Sequence, residues 1–196
     1  VVVQSILSHH SSIDELVEAL EIRALANLDP HISFGLLLDF QDSDCESLQG
    51  DRGLINQIES RISDLNSFYS KDQVGQFFAL CRRRVWNSSE RKFMGWERKR
   101  GKIEEFNQFL RGNKNTNFYY QIGELEQLKL CKFVITLDSD TKLPPGTARK
   151  LIATMAHPLN RPSLDKESGV VINGYGILQP RMGISLESAL STRFSA

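Results

Sequence analysis

An apolar run at residues 133–137 stops on two carboxylates, Asp138 and Asp140, separated only by Ser139. Strand side chains alternate between faces, but where a buried strand ends the chain turns. The two carboxylates can then converge on one point just beyond the sheet. Open α/β sheets bind ligands there, outside the carboxyl ends of their strands. Two close carboxylates repel unless something positive sits between them, and a divalent cation is the natural partner. The plainer alternative is a surface turn, since Asp and Ser favour turns and Pro144 and Pro145 follow.

Two further groups belong at the same sheet edge. Asp39 and Asp42 follow an earlier apolar run, where carboxylates are placed to hydrogen-bond ribose hydroxyls or a base. Arg98, Arg100 and Lys102 stand around the start of a helix expected near Gly101, so that charge and the helix N-terminus together suit phosphates. With Asp138 and Asp140 holding a metal against a diphosphate, the three groups describe one nucleotide-diphosphate site. Taken singly, each has a simpler reading: aspartates solvate loops, most charge runs are solvated faces, and Trp96 suits a core. Taken together, the site reading leads.

The elements that must position these residues follow from periodicity. Residues 1–7 read as a buried strand. Ser12, with Glu15 three residues on, reads as the capping box of a helix whose stripe is Ile13, Leu16, Val17 and Leu20. A second apolar run covers 32–40, and a helix after Asp51 carries Leu54, Ile55, Ile58, Ile62 and Leu65. A third strand is expected within 75–85, ending in Arg82, Arg83 and Arg84. Residues 86–100 read as a polar, basic and aromatic stretch without assigned structure. A helix with Ile103, Phe106, Phe109 and Leu110 follows, then a short strand at 118–122 and the central strand at 133–137. A helix from Pro145 to about Ala156 should turn Leu151, Ile152 and Met155 inward. Residues 169–178 form a last apolar run. Alternating strands and helices argue for a mainly parallel sheet covered on both faces, and right-handed crossovers make a Rossmann-like sheet the default.

Composition sets the outer bounds. The 196 residues suit one α/β domain with a real core, and 40% hydrophobic against 24% charged residues is globular rather than disordered. Lys+Arg 24 against Asp+Glu 24 leaves no global field to recruit nucleic acid or a membrane surface. Three widely spaced cysteines form no CxxC pair, which fits reduced thiols in a cytosolic setting, and the four histidines have no zinc-ligand spacing. No stretch has the length of a membrane-spanning helix and no signal peptide is visible. A start at Val1 without Met and a stop at Ala196 suggest a piece of a longer protein.

Haloacid-dehalogenase-type phosphatases also end an apolar strand in Asp-x-Asp, but they place Thr or Val two residues after the second Asp. Here that position is Lys142 and Thr141 falls one residue early, and three strands precede the motif. A better match is the D-x-D motif of GT-A glycosyltransferases. Three longer stretches narrow it: 96–107 (WERKRGKIEEFN), 155–162 (MAHPLNRP) and 174–181 (GYGILQPR). In that order, and over residues 1 to about 181, the chain resembles the glycosyltransferase domain of cyclic β-1,2-glucan synthases, large bacterial inner-membrane enzymes. The resemblance implies a GT-A fold, UDP-glucose as donor, Mg2+ or Mn2+ as cofactor, and inversion at the sugar. It makes Asp138 and Asp140 the metal and diphosphate ligands, sets Asp39 and Asp42 where uridine binds, and puts Gln179 and Arg181 where related synthases meet the acceptor glucan. It also implies a site at the cytoplasmic face of the inner membrane, with other domains of a parent protein alongside. Inverting enzymes of this fold need a carboxylate base beyond the D-x-D strand. Only Glu187 is acidic after Arg181 and no Gln-x-x-Arg-Trp-like segment closes the site, so the base is expected outside this chain and the fold truncated at its C-terminal side. A haloacid-dehalogenase-like phosphatase, a nucleotide-sugar binding module without catalysis and a purely structural interaction domain are the remaining alternatives.

Overall fold

In the computed structural model, residues 1–70, 75–181 and 183 are described, and Glu187 lies outside them. The chain divides into two compact units, Val1–Ala148 and Arg149–Ala196. The first unit opens with β1 (Val2–Leu7), α1 (His10–Ala26), β2 (Phe34–Phe40), α2 (Asp51–Phe68) and β3 (Phe77–Arg82). It continues through β4 (Val85–Asn87), β5 (Lys92–Met94), α3 (Arg98–Leu110), β6 (Phe118–Gly123) and β7 (Thr136–Asp138). Every residue of β2 and β3 is buried, which is why both read as unbroken apolar runs rather than alternating ones.

The main sheet has the order β6-β3-β2-β1-β7. β1 runs parallel to β2 and β7, β2 parallel to β3, and only β6 is antiparallel. The chain steps outward from β1 to β2 and β3, then returns to lay β7 on the other side of β1. The arrangement is Rossmann-like, and the gap between β1 and β7 is its topological switch point. Phe106 of α3 packs with Val2, Leu37, Phe78, Leu80, Phe118 and Leu128 on one face of the sheet. The buried Ile13, Val17 and Leu20 of α1 and Ile55, Ile58 and Ile62 of α2 form the stripes expected for the opposite layer.

Four local features differ from the sequence expectation. The capping box at Ser12 does not form. α1 is already under way at His10, and Ser12 Oγ donates to the His9 carbonyl at 2.7 Å, because a serine inside a first turn finds the carbonyl behind it. α3 begins at Arg98 rather than near Gly101, the turn into it made by Glu97 and Arg98 with φ of 49° and 47°. Residues 86–100 contain all of the β4–β5 hairpin but Val85, with Trp86 against Phe93 at 5.1 Å. Strands of three residues are too short to leave a period-2 signal. Finally, the strand that ends in Asp138 is short and lies at the edge of the described sheet, with Val2 N donating to Ile135 O at 2.8 Å just before it.

The second unit contains the remainder of α4 (Thr147–Ala156), in which Leu151, Ile152 and Met155 are half-buried rather than fully inward. β8 (Ser163–Leu164) and β9 (Val171–Asn173) form a hairpin there. Two of the recognisable stretches meet in this unit: Tyr175 N donates to Asn160 O at 3.0 Å. Gly174, at φ 74°, sits where a Cβ would lie 2.0 Å from Arg161 O, so only glycine fits. Among the described residues no helix is long and apolar enough to cross a membrane.

Candidate nucleotide and metal site

A cleft of about 450 Å³ opens between the sheet and the start of α3, lined among others by Gln4, Ile6, Asp39, Glu97, Lys99 and Lys102. Register partners in a parallel ladder project to the same face. Gln4 therefore stands beside Asp138, and Ile6 beside Asp39. The cleft thus lies toward the carboxyl ends of β1 and β2, and Asp138 of β7 does not line it.

Its floor is a buried ionic network. Asp39 accepts two hydrogen bonds from Arg82, Nε at 2.7 Å and Nη2 at 3.0 Å, and Lys102 Nζ lies 3.0 Å from its Oδ2. Arg82 Nη1 adds Glu105 at 3.5 Å and the Trp96 carbonyl at 2.8 Å. Lys102 Nζ also donates to Ser5 O at 2.8 Å. Two cations and two anions balance, so none is left uncompensated in low dielectric. Burial pulls the Lys102 ammonium below its ordinary pKa, with Asp39 opposing that shift. Asp39 and Lys102, chosen from sequence as ligand contacts, thus hold β2, β3 and α3 together beneath the cleft. Gly95 makes room: a Cβ there would fall 2.6 Å from Asp39 Cγ.

The rim carries the exposed charges. Arg98 pairs with Asp42 at 2.9 Å and Glu90 at 2.7 Å, and the hydrogen bonds it donates to Glu90 first and Asp42 second raise its pKa. Arg100 points to solvent, 3.6 Å from Glu97. The cation that reaches Asp138 is Lys99, with Nζ 2.7 Å from Oδ1. Sequence reasoning missed Lys99 because a helix starting at Gly101 would leave it in a loop. Starting at Arg98 fixes its phase, so that Lys99 faces the carboxylate while Lys102, one turn on, is buried. The left-handed Glu97 and Arg98 cost roughly 1–2 kcal/mol each and aim that first turn at the sheet.

The loop after β7 is clamped from below. Arg23 of α1, 5% exposed, donates to Ser139 O at 2.7 Å and to Thr141 O at 3.0 Å and 2.8 Å. Burial lowers its pKa and Asp140 counteracts that. Two backbone carbonyls are thereby fixed on either side of Asp140, and Thr141 N closes the turn on Asp138 O at 3.0 Å. Asp138 and Asp140 are exposed, with hard oxygen donors facing solvent. Among the described residues no group of three or more His, Cys, Asp or Glu converges as a metal site. A pair of carboxylates suits Mg2+ or Mn2+, which keep waters and take further ligands from substrate phosphates. In the structure Asp138 Oδ1 pairs with the Lys99 ammonium. Gln179 and Arg181 lie in the second unit, both exposed.

No family model matches the chain. It is 39% identical over 186 residues, 95% of its length, to the cyclic beta-(1,2)-glucan synthase NdvB of Rhizobium meliloti (strain 1021). That match takes in 6% of the relative's length, so the chain spans a small part of that much larger protein.

Proposed function

We propose that this chain is the donor-binding part of a GT-A glycosyltransferase that moves glucose from UDP-glucose to a growing β-1,2-glucan with inversion. The observation that carries the reading is a cleft at the carboxyl ends of β1 and β2, lined by the first turn of α3, whose Lys99 reaches out to Asp138. The similarity to a cyclic glucan synthase over nearly the whole chain supports the same chemistry. By analogy with such an enzyme, the parent protein works at the cytoplasmic face of the bacterial inner membrane, with further domains supplying the base and the acceptor path.

In this reading Asp138 and Asp140 hold Mg2+ or Mn2+, which when bound offsets charge on the leaving diphosphate. Arg23 keeps the carboxylate loop in place by its grip on Ser139 and Thr141. Lys99 exchanges its contact with Asp138 for a phosphate oxygen, so the loop is not left with unbalanced negative charge before the ligand arrives. Arg98 stands ready on the same turn, tethered by Asp42 and Glu90. The acceptor hydroxyl loses its proton to a base outside this chain. Gln179 and Arg181 contact the acceptor glucan.

The test is incorporation of radiolabelled glucose from UDP-glucose into glucan by the parent protein. With Asp140→Asn incorporation should fall at least a hundredfold while the protein accumulates and melts as wild type. Near-normal incorporation would remove Asp-x-Asp as the site.

A further inference from the structure

Gln4 carries a hydrogen-bonding group that the fold does not use. It lies in the middle of β1, 6% exposed, and its Oε1 is buried without a partner. A buried polar group is normally paired, and an unpaired one costs the fold stability. Gln4 also lines the cleft, and its register partner across the switch point is Asp138. The neighbouring hydrogen-bonding group on the floor is already committed, since both Asp39 oxygens are held by Arg82 and Lys102. Beside Gln4 the floor is apolar: Ile6 is 53% exposed although it sits within a strand of the main sheet.

We infer that Gln4 reads the polar edge of a nucleobase whose flat face rests on Ile6. A primary amide offers an acceptor and two donors side by side, the complement of a base edge that mixes carbonyl and N–H groups. A phosphate presents only acceptors, and in the donor-binding reading that chemistry falls to the rim cations Lys99 and Arg98, which pair with Asp138 and Asp42. The unpaired Oε1 is then a stability sacrifice retained for recognition. This rests on the donor-binding reading above and names the side chain that discriminates the nucleoside.

The experiment uses this chain, with Mn2+ present, titrated calorimetrically with UDP and with inorganic diphosphate. Gln4→Met keeps the volume and removes the amide. Its affinity for UDP should fall about tenfold, the loss of one hydrogen bond, while inorganic diphosphate binds as to wild type. Its melting temperature should hold or rise, because a buried unpaired group is gone. Unchanged UDP affinity in Gln4→Met would overturn the assignment, as would an equal loss for UDP and diphosphate, which marks a structural role. Wild-type chain that takes up neither ligand would instead sink the donor-site reading itself, and this assignment with it.

Discussion

Replacing Asp39 with asparagine keeps the shape of the side chain and removes one of the two anions in the buried network. Arg82, fully buried, and Lys102, 1% exposed, would then share Glu105, which is 3.5 Å from Arg82. The interior passes from neutral to one uncompensated positive charge. Breaking a buried pair in this way costs about 3–5 kcal/mol. For a chain of this size each kcal/mol lowers the melting temperature by roughly 2–4 °C, so Asp39→Asn should melt about 6–20 °C lower. Urea unfolding should give the same loss with the slope unchanged. Lys102→Met in the Asp39→Asn background removes the excess charge, so the double variant should be more stable than Asp39→Asn alone. An Asp39→Asn protein melting within about 2 °C of wild type would refute the reasoning, because a free-energy change that small means the network does not hold the sheet to α3.

Other expectations follow from the same geometry. Arg23→Met removes three hydrogen bonds from a charged donor to Ser139 and Thr141. It should cost about 2–4 kcal/mol and speed amide exchange at Thr141, read by hydrogen–deuterium exchange. Lys99→Gln should bind Mn2+ alone more tightly, since the competing ammonium has gone, yet bind UDP with Mn2+ more weakly; equal signs for both would contradict the exchange of partners. Native protein should expose two thiols to an aromatic disulfide reagent at once, Cys45 and Cys131, while buried Cys81, its thiol pushed up by burial, reacts only on unfolding. The folded pKa of Lys102 lies below the ordinary 10.5, so as pH climbs through that interval the unfolded chain binds more protons and the lysine costs the fold less. The stability of wild type relative to Lys102→Met, measured in urea, should therefore rise with pH in that window and be flat below it.

The sheet was legible because β2 and β3 are apolar along most of their length, which is what marks 32–40 and 75–85 as strands. The stop of β7 at Asp138 was equally visible, since a carboxylate ends an apolar run abruptly, whereas β2 carries Asp39 inside it and runs on to Phe40. What a charged residue does there was not visible. Asp39 and Lys102 read as ligand contacts, and their mutual pairing was hidden because Asp39's buried partners, Arg82 of β3 and Lys102 of α3, lie on other elements. The orientation of 98–102 depended on where α3 starts, and that is set by left-handed Glu97 and Arg98, which have no residue-type signature. Arg23 reaches Thr141 across 118 positions of sequence, beyond any local pattern. Gln4 gave no signal at all, being one of two polar residues, with Ser5, within an otherwise apolar strand.

Metal-dependent nucleotide binding by Asp138 and Asp140 is the central claim, and calorimetric titration of this chain with UDP and UDP-glucose, with and without Mn2+, tests it most directly. Both carboxylates are exposed, so Asp138→Asn/Asp140→Asn should change stability by no more than about 0.5 kcal/mol per site. The expected result is UDP binding that requires Mn2+, prefers UDP to GDP, and vanishes in the double variant. Binding that persists without metal, or that survives in the double variant, would contradict the claim.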